Sequence, residues 1–439
     1  MQRLNTEYNQ TSIWKEILIN AQRRIEVDLM EVERVIELAR RTPGLAGYED
    51  ELQQLSIFFE VATQFYQQNN PDGLSDLVAF WERYRAAVIQ RYTAVTPVEL
   101  YAADKVVKDI FQRYLDSVPN ANIGYSRDAS PLVYGGEGGL GAYFTHPPGW
   151  NRPFAIINLP HTAFDNVWHW LALPHETGHD TYASVEGLDS ELENALEMRM
   201  RNAVRDGLVS IPDVNIDLSE FGLPYQIRYS GEQFLVKVWR SWANEAQADM
   251  VGLLSCGGAA IVALQQIIGF EADDVWEIFS TGNGIDGAPE VHPTSYVRNA
   301  LNIAALRLIG HNGLADEVQA RFEALRPQSS HITWRLGRTI EVARVPVNEM
   351  VRSAELAAEV IISGKLMSLG NQSYRDLVDF TTDDQVIVDT MADLLIGGNP
   401  TFAQVDNATP RHALATTMFA FEKDRTKAEI INKTFKHFV

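Results

Sequence analysis

Leu171-Ala172-Leu173-Pro174-His175-Glu176-Thr177-Gly178-His179-Asp180 is the most informative stretch of this chain. In a helix, positions four apart lie on one face, one turn above the other. His175 and His179 therefore offer two imidazole nitrogens to a single point, where a zinc ion would be bound at about 2.0–2.1 Å. Glu176 is one step round the helix from His175. Its carboxylate falls beside the open coordination position, so it reads as a general base and not as a ligand. The flanking Val167, Trp168, Trp170, Leu171 and Leu173 make this segment apolar on much of its surface. Buried histidines need partners, and one shared metal serves both. Two satisfied core histidines beside an exposed glutamate are the plainer account, and the apolar context weighs against it. Gly178 costs roughly 1 kcal/mol of helix propensity relative to alanine, which points to close packing there.

A catalytic zinc site takes three protein ligands and keeps a fourth position open. A metzincin continuation requires glycine at 182 and histidine at 185, where this chain has Tyr182 and Val185. That leaves a carboxylate. Asn244-Glu245-Ala246-Gln247-Ala248-Asp249 lies inside the apolar segment Trp239 to Leu254. Glu245 and Asp249 share a helix face, and two buried acids are costly unless charge or hydrogen bonds compensate them. Glu245 on the metal, with Asp249 accepting the second ring N–H of a ligand histidine, accounts for both. Glu197 is the alternative third ligand.

His175-Glu176-x-x-His179 followed by Asn244-Glu245-x-x-x-Asp249 resembles the gluzincin metallopeptidases. The long gap between the two motifs is closer to the CAAX-prenyl-protease and HtpX-like branch. That branch carries a histidine-proline and then an arginine after the third ligand, and Val291-His292-Pro293-Thr294-Ser295-Tyr296-Val297-Arg298 looks similar. The likeness covers residues 150–310. It implies a zincin-like core with one zinc ion per chain and hydrolysis of peptide bonds. It also implies that His292 or Tyr296 stabilises the oxyanion and that Arg298 orients active-site groups. An imidazole or phenol aimed at a developing negative oxygen lowers a barrier by a few kcal/mol. The alternative is that His292-Pro293 caps the next helix and Arg298 pairs with an acidic neighbour. His146, His161, His169, His311, His331, His412 and His437 lack ligand spacing and read as surface or satisfied core positions.

Outward from this centre the chain reads as mainly α with a small β-sheet, an α+β fold in which helical segments flank the zincin-like core. Residues 1–118 have helical spacing throughout, beginning at Ser12. Thr42-Pro43-Gly44 breaks the run, and Thr96-Pro97-Val98-Glu99 opens a further helix. They form an N-terminal helical domain packed on the next one. Residues 119–345 form the catalytic domain. Its start carries short β-branched or aromatic runs at Pro131–Tyr134, Gly141–Thr145 and Phe154–Leu159. The last of these is expected to be an edge strand along the cleft, to which a peptide adds through backbone hydrogen bonds. The glycine-rich Gly135–Gly141 lacks the lysine and following helix of a phosphate loop, so it reads as a turn or flap. Helices are expected from 163 onward. Arg344-Val345-Pro346-Val347 marks the boundary before a C-terminal helical segment at 346–439.

Hydrophobic residues make up 46% of the 439 and charged residues 22%, the balance of a folded protein. The formal charge of −21 disfavours nucleic acid and anionic membrane as partners. Met250 to Phe270 is apolar but interrupted, and reads as a buried helix pair instead of a membrane span. The single cysteine, Cys256, allows no intrachain disulfide, and no apolar stretch follows the start of the chain, so a cytoplasmic location is expected. The partner expected is a peptide or protein substrate, with a regulatory partner or a cleft cover supplied by the helical flanks. Two further readings stand beside the peptidase. One is an interaction protein whose metal only braces the fold, and the other is a zinc hydrolase of a non-peptide amide or ester.

Overall fold

A computed structural model describes residues 48–438 apart from 70–73, 93–97, 119–128, 137, 139–141, 149–153, 218–225, 269–276, 281–290, 325–328, 337–339 and 400–403, with scattered positions between 23 and 45. The start of the helix read from Ser12, the Thr96-Pro97 helix start and most of the loop after Gly136 lie outside the described residues, while the described positions from 23 to 38 are helical. The elements run α1 (Glu49–Asn69), α2 (Leu74–Tyr92), α3 (Val98–Ser117), β1 (Leu132–Gly136), β2 (Phe144–His146), β3 (Ile156–Pro160), α4 (Ala172–Ser184), α5 (Leu188–Arg205), β4 (Val214–Asp217), β5 (Gln226–Tyr229), α6 (Gly231–Cys256) and α7 (Gly258–Ile268). They continue through β6 (Glu277–Ser280), α8 (Ser295–Leu308), α9 (Asn312–Ala324), β7 (His331–Leu336), β8 (Ile340–Pro346), α10 (Val347–Ser363), α11 (Tyr374–Leu377), α12 (Thr382–Ile396), α13 (Pro410–Lys423) and α14 (Ala428–Phe438). The fold is mainly helical with small sheets, as the sequence indicates.

Alternation along the strands divides the interior. Leu132, Tyr134 and Ile156 face a cluster with Leu52, Phe59, Trp81 and Tyr84 from α1 and α2. Val133, Ile157 and Leu159 face the other way, into the main core. That core is continuous from Leu100 on α3 to Phe435 on α14, so it crosses both 118 and 345.

The first sheet has the order β1-β3-β2, with β3 parallel to β1 and antiparallel to β2. The Phe154–Leu159 run is therefore a central strand and not the edge. All of Ile156–Pro160 is buried, because packed clusters cover both faces of the strand. The edge beside the metal helix is β2. At the opposite edge, side chains occupy the outward backbone groups of β1. The Gln90 amide donates to the Gly135 carbonyl at 2.8 Å and accepts the Gly135 N–H at 2.9 Å. Asp104 accepts the Val133 N–H at 3.0 Å, and Arg91 donates to the Val133 carbonyl. One edge of this sheet is closed to further pairing.

Helix α6 starts in a capping box of Ser230 with Gln233 and is buried over most of its length. It ends at Gly257, whose φ of 60° suits glycine, and α7 follows at once. The apolar run read as a buried helix pair is this junction, and Cys256 lies buried in it. Helix α4 crosses α6 at Gly178, where a Cβ would stand 2.7 Å from the Ala248 Cα. The sequence reading placed no strands beyond 160, yet β4 pairs with β5, and β6, β7 and β8 form a second three-stranded sheet. No helix among the described residues is long and apolar enough to cross a membrane.

Candidate metal centre

A 3₁₀ segment, a proline and a glycine place helix α4. Val167–Leu171 is a 3₁₀ segment with Val167, Trp168, Trp170 and Leu171 buried, and it anchors the start of α4. Pro174 falls in the first turn of α4, where its missing N–H has no intrahelical partner to lose. With Gly178 letting α4 lie against α6, the rings of His175 and His179 meet the carboxylate of Glu245.

His175 Nε2 and His179 Nε2 are 3.1 Å apart. Glu245 Oε2 is 3.5 Å from His175 Nε2, and Glu245 Oε1 is 3.4 Å from His179 Nε2. Ligands about 2.0–2.1 Å from a tetrahedral ion stand about 3.3 Å from one another. The ring-to-ring separation is close to such an edge, each ring faces one oxygen of the Glu245 carboxylate at a similar distance, and one ligand atom from each residue lies within 4.8 Å of the others. These residues form the group among the described residues that could hold a metal ion. The alternative third ligand, Glu197, is engaged instead with Arg201 at 2.8 Å and Arg240 at 3.0 Å.

The far side of each ring is fixed. Asp249 Oδ1 lies 2.9 Å from His175 Nδ1, the role read for it from the sequence. Asn244 Oδ1 lies 2.9 Å from His179 Nδ1, a role the sequence reading did not assign. Each acceptor selects the tautomer that leaves Nε2 for the metal. Arg298 donates to both oxygens of Asp249, at 2.8 and 2.7 Å, and comes within 3.3 Å of Glu245 Oε2. Asn302 donates to the same carboxylate at 3.1 Å. Asp249 thus ties α4, α6 and α8 together.

The electrostatics follow from this packing. Burial raises the Glu245 carboxyl, but hydrogen bonding to His175 and the charge of Arg298 outweigh it and hold the group well below the usual carboxylate range. Burial likewise raises Asp249, and Arg298 with His175 brings it down to about 2. Burial lowers the His175 imidazole, while Asp249 and Glu245 together raise it to about 10. The two carboxylates and two rings make a pocket that attracts a cation.

The cluster opens into a cleft of about 390 Å³. One wall is Tyr143, Phe144 and Thr145 from β2 and the residue before it, and the other is Ala260, Ile261 and Leu264 from α7. Glu176 is buried beside the ligands, and Thr145 Oγ1 lies 2.8 Å from its Oε2. Tyr143 is buried in the same wall, its hydroxyl without a hydrogen-bond partner among the described residues, and burial followed by the charge of Glu176 pushes its ionisation well above the usual phenol range. No described lining residue comes from 1–118 or 346–439.

His292 stands at the rim, exposed, with Nε2 3.4 Å from Glu245 Oε1. Thr294, and not His292-Pro293, caps α8 by accepting the Val297 N–H. Tyr296 is not brought to the centre. Its ring packs on Phe322 at 5.8 Å, in a separate groove with Arg307 and Glu355. Residues two apart on a helix project to nearly opposite sides, so Arg298 facing Asp249 turns Tyr296 away. His412, bonded to Asp384 at 2.7 Å, is a satisfied core histidine as the sequence indicates. No family model, curated protein or solved structure matches this chain.

Proposed function

We propose that the protein is a zinc-dependent hydrolase of peptide bonds. The observation that carries this reading is the convergence of His175 Nε2, His179 Nε2 and the Glu245 carboxylate, close enough to hold one ion, at the wall of an open cleft. A structural zinc site is closed by four protein ligands, and three are grouped among the described residues. That count favours a catalytic site over a metal that only braces the fold.

Zinc bound here supplies a Lewis acid that lowers the pKa of a water to about 7. Glu176 would take a proton from the attacking water and return it to the leaving amine nitrogen. His292, at the rim beside Glu245, is placed to donate to the oxygen that gains negative charge. Arg298 acts through Asp249 and Glu245, holding both carboxylates in place. The pairing of Asn244 with His179 and of Asp249 with His175 agrees with the gluzincin resemblance of the two motifs.

Peptide binding follows from the asymmetry of the sheet. Gln90, Arg91 and Asp104 close the β1 edge, whereas no described strand pairs with the outer edge of β2, beside Glu176. An extended peptide pairs with β2 through main-chain hydrogen bonds and brings successive carbonyls past the metal. Glu176→Gln is the direct test. It retains one zinc per chain by elemental analysis and loses cleavage of unfolded protein substrates. A Gln variant that still cleaves would end the general-base assignment.

A further inference from the structure

Thr145 is on edge strand β2, and its hydroxyl lies 2.8 Å from two oxygens of one residue, the carboxylate Oε2 and the backbone carbonyl of Glu176. Such a hydroxyl carries one proton to donate. The carbonyl belongs to α4, whose helical ladder already supplies it with an N–H. An ionised carboxylate is the stronger acceptor, so the proton goes to Oε2 as a charge-assisted bond. Among the described residues, Oε1 accepts no hydrogen bond and remains available to the cleft. A β-branched side chain on a strand is stiff at χ1, so the donor itself is held in place.

We propose that Thr145 is a positioning residue that clamps Glu176 against its own helix and leaves Oε1 directed at the attacking water. The inference rests on the hydrolase reading and adds to it. The strand that pairs with the peptide also sets the base, so substrate carbonyl and proton acceptor share one frame of reference. Loss of the hydroxyl leaves a buried carboxylate free to rotate, which costs turnover and not peptide binding.

The test uses the zinc-loaded full chain and its Thr145→Val and Thr145→Ser variants. Valine keeps the shape without the donor, and serine keeps the donor without the branch. Zinc content, kcat and KM on a cleaved peptide, and affinity for acetohydroxamate are measured for each. Acetohydroxamate chelates zinc and donates a hydrogen bond to a correctly turned carboxylate, so it reports the base without turnover. All three proteins should hold one zinc. Thr145→Val should lose about 10–100-fold in kcat, with KM within about twofold, and serine should recover most of the loss. Acetohydroxamate should bind the valine variant about 10-fold less tightly. A valine variant with unchanged kcat and unchanged hydroxamate affinity overturns the clamp. So does a loss carried by KM, or loss of the zinc itself. If the zinc-loaded wild type cleaves no peptide, the hydrolase reading fails separately, and hydroxamate affinity alone then decides the role of Thr145.

Discussion

Replacing Gly178 by alanine tests whether helix contact sets the metal geometry. The added Cβ would lie 2.7 Å from the Ala248 Cα, 3.1 Å from its Cβ and 3.2 Å from its carbonyl oxygen. Non-bonded carbons prefer about 3.5–4.0 Å, so α4 and α6 must separate by about 1 Å. Overpacking of this kind costs about 1–3 kcal/mol, and the gain in helix propensity offsets about 1 kcal/mol of it. The larger effect falls on the metal. Both histidines are on α4 and Glu245 is on α6, so separations of 3.5 and 3.4 Å open toward about 4.5 Å, beyond the roughly 3.3 Å of a zinc tetrahedron. Zinc affinity should fall by about 10–100-fold, measured by competition with a chromophoric chelator. Gly252→Ala is the matched control on the same helix pair, because its Cβ would meet the His175 N at an ordinary 3.7 Å. That variant should keep its zinc affinity and melt no lower than the wild type, since it gains helix propensity without a clash. Equal zinc affinity in Gly178→Ala and wild type would refute the reasoning, as would an equal loss in both variants.

Asp249→Asn should weaken zinc binding by about 10–100-fold and lower stability by about 1–3 kcal/mol, since it loosens His175 and replaces the charge-assisted bonds of the buried Arg298, leaving it the longer contact to Glu245. Chelator competition and chemical denaturation measure the two effects, and a variant with wild-type stability would show that Arg298 does not depend on this partner. A second site sets a pH dependence: burial raises the Asp384 carboxyl, but His412, Thr381 and Arg411 outweigh it and hold it far below the usual range. The folded protein therefore takes up this proton at lower pH than the unfolded chain. The stabilisation is complete above the unfolded value of about 3.9 and is lost as pH falls through the lower folded value. The gap in melting temperature between wild type and Asp384→Asn should be widest near pH 7 and should narrow below about pH 4, and a constant gap would count against it.

The legible parts of the sequence are those in which one local period dictates the outcome. Helical spacing puts His175 and His179 on one face, and the buried acids at Glu245 and Asp249 announce that something compensates them. The fate of Tyr296 was open to the same logic, because Arg298 and Tyr296 cannot face one partner from a single helix. His331–Leu336 also carried its signal: Ile332 and Trp334 alternate with polar neighbours and are buried, but the helical pattern around them masked a strand of six residues. Strand order was a different matter. Phe154–Leu159 is identifiable as a strand, but whether it is central depends on what pairs with it, and β2 spans only three residues. Thr145 and Asn302 had no signal of their own, and Asn244 was marked only as the residue before Glu245 in its motif. Each is an ordinary polar residue whose role exists only once the chain brings a distant partner within about 3 Å.

Charge gives the last reason to read this centre as a cation site and not as a polar knot in the core. Glu245 and Asp249 are both buried and both held in the ionised state, whereas Arg298 is the buried guanidinium that faces them. Two negative charges against one positive leave an uncompensated charge in a low-dielectric place, which is costly. Arg298 binds Asp249 with both of its nearest nitrogens and reaches Glu245 less closely, at 3.3 Å. The unmatched charge is therefore on Glu245, the carboxylate that points at the two Nε2 atoms. A proton on an imidazole is one way to balance it, and the rise of His175 expresses that demand. A divalent ion balances it more fully, because it draws on Glu245 and on both ring nitrogens at once, with Asp249 and Asn244 already holding the opposite N–H groups.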